Sequence, residues 1–218
     1  MIDLSWEEHH TLPDGTEVLL RLLCPTDADA LRVGFQRLSP ESRYRRFLSV
    51  LPALSDEMVR YLTETDGECH VAIVAGIVSP DLKSEEGIAV ARYIRLPDEP
   101  DVAEAAVTVI DDFQGKGLGK LLLTTLVRLA SGEGIRMFRA EVLPSNTAVQ
   151  KLLASVGAIE RERTQESVTY DIPIPQGEGS HEHRWQALFD LLKHAAASLT
   201  LVFRHEWSSR QGSEQAPP

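Results

Sequence analysis

The chain has 218 residues, 43% apolar and 25% charged, enough to bury a substantial core and too apolar for wholesale disorder. Its 22 basic and 33 acidic residues leave a net charge of −11. That excludes a broad grip on a polyphosphate backbone, so nucleic acid is not an expected partner and anionic ligands are confined to a local site.

In chain order, residues 17–23 (EVLLRLL) read as a strand that follows the turn Pro13-Asp14-Gly15. Thr26 is the expected N-cap of a helix running to about residue 38, with Asp27 and Asp29 at its positive end. Ser39-Pro40-Glu41 repeats the start signal ahead of a short helix, SRYRRFLSV, and Ser55-Asp56-Glu57 opens a third with Met58, Val59 and Leu62 on one side. Three strands follow, at residues 69–78 (CHVAIVAGIV), 88–95 and 104–110, joined by the polar turns SPDLKSEEG and LPDEPDVA as in an antiparallel meander. A glycine-rich turn at 114–119 leads into a helix over 118–131, whose Leu118, Leu121, Leu122, Thr125, Leu126 and Leu129 share a face. Gly132 and Gly134 end it. A strand at 137–143, a helix at 146–156 and a strand at 167–172 complete a mixed α+β sheet with helices on its faces.

Pro173 to Ser180 is a linker by composition. Beyond it, Trp185, Leu188, Phe189, Leu192, Ala196 and Leu199 recur at helical spacing and predict an amphipathic helix, then a polar tail. The expected division is therefore a folded domain over 1–175 and an appendage over 176–218. The start MIDLSWEEHH lacks a basic-then-apolar leader, and the longest clean apolar run, 71–78, falls far short of the roughly 20 residues of a membrane helix. Cys24 and Cys69 form neither a metal pair nor a disulfide framework and read as core residues. A cytoplasmic protein without a membrane partner is expected. The histidines lack partners at metal-ligand spacing, so no metal is expected either.

The stretch that carries chemistry is VTVIDDFQGKGLGKLLL, residues 107–123. Strand, glycines and helix in that order expose backbone N–H groups at a helix start, where glycine lets a phosphate approach. Two common phosphate motifs are excluded by position. A dinucleotide fingerprint counted from Gly115 requires glycine where Lys120 stands, and a Walker loop ending at Lys120 requires Ser or Thr where Leu121 stands.

The phrase that fits is Q-x-x-G-x-G, Gln114-Gly115-Lys116-Gly117-Leu118-Gly119. It resembles the pyrophosphate loop of the GNAT family of N-acetyltransferases, and EVLPSNTAVQKLLASVGA resembles that family's next strand, asparagine and helix. The resemblance covers residues 14–173. EVLLRLLCPTDADAL together with RLSPESRYRRFLS looks most like the catalytic domain of bacterial protein-lysine acetyltransferases of the Pat type. The resemblance implies a GNAT fold, with a central mixed, mostly antiparallel sheet and helices on both faces. Acetyl-CoA would be the acyl donor, lying between the strand ending near Ile110 and the strand at 137–143. Backbone groups around Val107, Val109 and Ile110 would hold the pantetheine and thioester. Gln114, Gly115, Lys116, Gly117, Leu118, Gly119 and Lys120 would form the diphosphate turn, and Asn146 would contact the cofactor. Lys116, Lys120 and Lys151 offer charge to the phosphates and fit a solvated helix face equally well.

A lysine ε-amine, with pKa near 10.4, is protonated at neutral pH and needs a base before it can attack. Glu104, in the phrase Ala103-Glu104, matches the catalytic glutamate of the resembling lysine acetyltransferases. Asp111 and Asp112 are weaker candidates, since residues ahead of a glycine turn are usually caps or turn formers. Many small-molecule acetyltransferases of the family carry a tyrosine on the next helix; Leu153 stands there. The expected acceptor is a protein lysine, in the Pat-type group an acyl-CoA synthetase. A small amine, or a non-catalytic acyl-CoA-sensing role, remains an alternative, and the oligomeric state is open. Asp98, Glu99 and Asp101 form an acidic turn near Glu104, and Arg43, Arg45 and Arg46 read as a charged helix face.

Overall fold

A polar turn seeds the first hairpin. In the computed structural model, which describes residues 2–47, 50–78, 85–155 and 157–174, Gly15 adopts φ +86° and the Leu12 N–H donates to the Thr16 carbonyl at 2.8 Å. This turn joins β1 (Glu7–Thr11) to β2 (Glu17–Leu22). The sequence pattern does not announce β1, because EEHHT has no apolar face; it is an edge strand, and charged residues on an edge discourage pairing with other chains.

A short 3-10 turn (Pro25–Asp27) precedes α1 (Ala28–Gln36). Asp27, not Thr26, occupies the cap position, but its carboxylate turns back to accept from the Cys24 N–H at 2.9 Å and from both terminal nitrogens of Arg21 at 2.8 Å. Helices α2 (Pro40–Phe47) and α3 (Asp56–Thr63) start where their serines indicate. The Ser55 hydroxyl accepts from the Met58 N–H at 3.1 Å. Arg46 departs from the expected charged face: it is 6% exposed, turned into the protein. Cys24 is half-buried and Cys69 exposed, so neither is a core residue.

Strands β3 (His70–Val78), β4 (Glu85–Leu96) and β5 (Glu99–Val109) form the meander. β5 begins five residues before the expected 104, because only Pro97 and Asp98 make the turn. Pro100, which has no N–H to donate, falls where the β4–β5 register slips between Arg95 and Leu96. A second 3-10 turn (Asp111–Phe113) leads to α4 (Leu118–Gly132), then β6 (Met137–Val142), α5 (Thr147–Ser155), β7 (Ile159–Arg163) and β8 (Val168–Pro173). β7, all charged beyond Ile159 and exposed throughout, is the other strand the pattern conceals, and it lies at the opposite edge.

The eight-stranded sheet runs β1-β2-β3-β4-β5-β6-β8-β7, and among the described residues β5–β6 is its one parallel pair. Helix α1 packs on β4 and α3, and α4 packs on β3, β4 and β5. The core joins Leu20, Ile73, Ala91, Tyr93 and Phe138 to Leu118, Leu122 and Leu126 of α4, each at most 1% exposed. No helix among the described residues is long and apolar enough to cross a membrane. The linker and amphipathic helix expected over 176–218 lie outside the described residues.

Tyr93 is fully buried, and its hydroxyl has no hydrogen-bond partner among the described residues. Tyr93→Phe is therefore expected to leave the urea-unfolding free energy unchanged or to raise it by about 1 kcal/mol, since an unmatched buried hydroxyl costs about that much. A loss larger than about 1 kcal/mol would show that the hydroxyl is engaged in solution.

Candidate active site

Among the described residues β5 and β6 share register at three positions: Val102 with Met137, Ala103 with Phe138 and Glu104 with Arg139. β5 continues to Val109 and β6 to Val142, so past Glu104 they diverge, with no pairing between them among the described residues. A wedge results, open toward the glycine turn.

On its other side β5 keeps an unbroken register with β4, from Ala103 opposite Arg95 to Val109 opposite Ala89. Peptide groups alternate sides along a strand. The Ile110 N–H donates to the Ile88 carbonyl at 3.0 Å, toward β4. The alternation then turns the N–H and C=O of Val109 and Val107 toward the wedge. In keeping with this, the Gln114 side-chain amide donates to the Val109 carbonyl at 3.1 Å. Of the three residues expected to hold pantetheine, Ile110 differs: its N–H is taken by Ile88, its carbonyl accepts from the Phe113 N–H at 3.0 Å, and its side chain is 4% exposed. It anchors the strand end, and the wedge-facing donors are those of Val107 and Val109.

The closed end of the wedge is clamped. Arg139, the register partner of Glu104, donates to Glu99 on β5 at 2.6 and 3.1 Å and to Asp171 on β8 at 2.8 and 3.2 Å. Arg161 reaches Asp171 at 2.6 Å. Burial works against ionising Asp171, yet Arg139 and Arg161 hold its carboxyl below the usual range. Glu99 and Asp101, expected in an acidic turn, lie instead on β5, and Glu99 is a structural partner of Arg139.

At the open end, Gly115 and Gly117 have φ of +77° and +89°, which L side chains rarely adopt, and Gly117 is the N-cap of α4. Leu118, 1% exposed, fixes the helix start in the core. The first N–H groups of α4 have no intrahelical acceptor, since the first bond of that turn runs from the Leu121 N–H to the Gly117 carbonyl at 3.1 Å. Gly119 is informative in a different way. A Cβ there would meet only Val109 Cγ2, at an ordinary 3.9 Å, so the protein's own packing does not require glycine. What it spares is room outside the backbone, and a CoA diphosphate fits that cradle of donors at a helix N-terminus.

Around the turn, Lys116 Nζ lies 3.5 Å from Asp14 Oδ2 and over the Phe113 ring at 4.8 Å. Lys120 is half-buried on the first turn of α4, and Lys151 is exposed on α5. The Asn146 Oδ1 accepts from the Val149 N–H at 3.3 Å, which caps α5. Leu153 is 2% exposed, a core residue. Glu104 is half-buried at the apex of the wedge, at the last position where β5 and β6 pair.

Asp111 has a role that composition conceals. Its carboxylate accepts from the Ser39 N–H at 2.9 Å and from the Ser42 hydroxyl at 3.1 Å, tying the start of α2 to the glycine turn. Burial opposes ionisation here, but these bonds hold its carboxyl below the usual range, which makes it a poor base. The phrase RLSPES carries this tie: a serine on either side of Pro40-Glu41 suits the aspartate that follows Ile110.

Comparison with known proteins agrees with this geometry. Residues 30–158 match the model of the Acetyltransferase (GNAT) family. The chain is similar to the acetyltransferase Pat of Mycolicibacterium smegmatis, with 33% identity over 163 residues that cover 74% of this chain and 47% of that one. It thus spans about half the length of that curated relative. It is also similar to an acetyltransferase of Pseudomonas aeruginosa, with 32% identity covering 74% of this chain and 84% of the other. Among solved structures, the GNAT domain of S. lividans PAT superimposes with a TM-score of 0.69 at 31% identity, covering 80% of this chain and all of that one.

Gly119→Glu separates the two reasons a glycine can stand at a helix start. It is expected to stabilise the fold by up to about 1 kcal/mol in thermal unfolding, because glutamate is the better helix former and its charge suits a helix N-terminus. Calorimetric affinity for coenzyme A is expected to fall at least tenfold, because the carboxylate repels the diphosphate. Unchanged affinity would mean that the cradle does not hold the diphosphate.

Proposed function

The chain belongs to the GNAT acetyltransferase family, and on that premise we propose that it transfers acetyl from acetyl-CoA to a protein lysine ε-amine, with Glu104 as general base. The observation that carries the reading is the wedge: two strand donors, Val107 and Val109, face an opening whose apex holds a carboxylate and whose mouth holds the glycine turn. Acetyl-CoA supplies the thioester carbonyl on which an amine acts.

The residues divide the work by position. The turn at 115–119 binds the diphosphate through backbone N–H groups, with Lys116 beside it. Gln114 orients the Val109 peptide through its carbonyl. Strand rise puts Val109 about 16 Å from Glu104 and Val107 about 10 Å from it. The reacting carbonyl therefore belongs with Val107, and Val109 serves the pantetheine nearer the turn. A donor fixed in the strand stabilises negative charge that develops on the acyl oxygen, without reorganising. Glu104 accepts the ammonium proton through a bridging water, which the remaining separation requires. Asn146 at the start of α5 contacts the donor from the β6 side.

Two points favour a protein acceptor. The relatives include a Pat acetyltransferase and a PAT GNAT domain. The position of the tyrosine acid found in many small-molecule enzymes is the buried Leu153. A thiolate leaves without an acid because thiol pKa values lie near 8.5. An acyl-CoA synthetase is the first protein to try as acceptor.

Thiol release should be measured with a lysine-peptide panel and a small-amine panel. Release with peptides alone is expected; release with amines alone would contradict the protein acceptor. Glu104→Gln should lower kcat at least a hundredfold while the affinity for acetyl-CoA stays within about twofold. An unchanged kcat over the whole pH range would remove Glu104 from the mechanism.

A further inference from the structure

Glu104 and Arg139 face each other across the last rung of the parallel pair, about 4.8 Å apart at their Cα atoms. Register partners carry their side chains on one face of a sheet. Alternation along β5 sets Glu104 on the face opposite the one where Val109 meets Gly119 of α4.

The other charges around Glu104 follow from the same alternation. On β4 its register partner is the apolar Ile94, and Arg92 lies two residues away on that face. Arg92 donates to the Leu62 carbonyl at 3.0 Å, and its neighbour His70 is neutral, because burial and Arg92 push the histidine pKa down to about 3. Next to Arg92 comes Arg46 of α2, which burial and the charge of Arg92 push down to about 9. On β6, Glu141 follows Arg139 by two residues.

Arg139 is the cation set beside Glu104 by register, and its charge is balanced. Its Nε and both terminal nitrogens donate to Glu99 and Asp171, and Asp171 also takes Arg161. The bond from Arg139 holds the Glu99 carboxyl below its usual range. Asp171 stays ionised against its burial because Arg139 and Arg161 hold its carboxyl down. Two guanidiniums thus meet two carboxylates, and the junction is neutral.

We propose that Arg139 and Glu99 are positioning residues for the general base: Arg139 holds the strand pair beside Glu104, and Glu99 cancels its field there. The inference rests on the reading of Glu104 as the base. An uncancelled guanidinium favours a carboxylate's ionised form and weakens it as a base. Glu104 has to draw a proton from an ammonium of pKa near 10.4, so that loss matters. A neutral junction keeps the grip without the field.

Carboxyl-carbon NMR titration of the full chain at low ionic strength reads Glu104 directly, with Glu104→Gln giving the assignment. Glu99→Gln is expected to lower the Glu104 midpoint by about half a pH unit, and Arg139→Gln to raise it by about as much. Opposite shifts mark a field, whereas loosening of the strand pair would move the midpoint the same way in both variants. The Glu99 side chain is 40% exposed, so its variant is expected to fold. If Arg139→Gln does not fold, Glu99→Gln decides alone. A midpoint that stays put, or shifts of the same sign, would overturn the proposal. The pH profile of kcat/KM separates it from the reading beneath. An acid limb that follows the NMR midpoints supports both. NMR shifts with a stationary limb support the junction and remove Glu104 as base.

Discussion

Two parallel strands that stop sharing hydrogen bonds partway along leave peptide groups facing one another across a gap. A buried peptide group left unmatched costs about 1–3 kcal/mol, so such a gap persists only if its rims are held apart and something polar can enter it. In this chain the gap opens after Glu104 and Arg139, and the placement of the candidate machinery follows from it. Val107 and Val109 have donors to offer because β6 has turned away, and Glu104 stands at the apex because pairing ends there. The glycine turn lies at the mouth because β5 runs straight into it.

The rims are fixed at both ends by ionic side chains placed for geometry. Arg139 binds carboxylates of β5 and β8 at the closed end, so the strands cannot part further. Asp111 ties the glycine turn to Ser39 and Ser42 at the open end, which couples the position of α2 to the turn. Neither group need touch substrate to matter. Isolated exposed ion pairs contribute little to stability. Here several charges meet at one junction, and Asp171 is nearly buried.

Much of this was legible in the residues. The strand–glycine–helix stretch at 107–123 carried the glycine turn and the start of α4, and the serines at 39 and 55 marked helix starts. What was hidden follows one physical rule: periodicity reveals only elements that bury a face. β1 and β7 are edge strands with little apolar surface, so their charged sequences read as loops. Thr26 looked like the cap, but a 3-10 turn carries the start of α1 on to Asp27, whose carboxylate is held by Arg21 and makes no cap bond to the helix. Arg46 read as solvated because α2 is short and rich in arginine, yet it is 6% exposed and its guanidinium lies over the Phe47 ring. Ile110 was expected to face the ligand, and only the alternation set by Ile88 shows that its donor points the other way.

The central claim is that the wedge donors bind the acyl donor, and amide hydrogen exchange resolved by residue tests it most directly. Adding an acetyl-CoA analogue with a non-hydrolysable thioester should slow exchange at Val107, Val109 and the amides of residues 115–119. Ile110, whose N–H is already bonded to Ile88, should be unaffected. Exchange at Val107 and Val109 that is indifferent to saturating analogue would contradict the account.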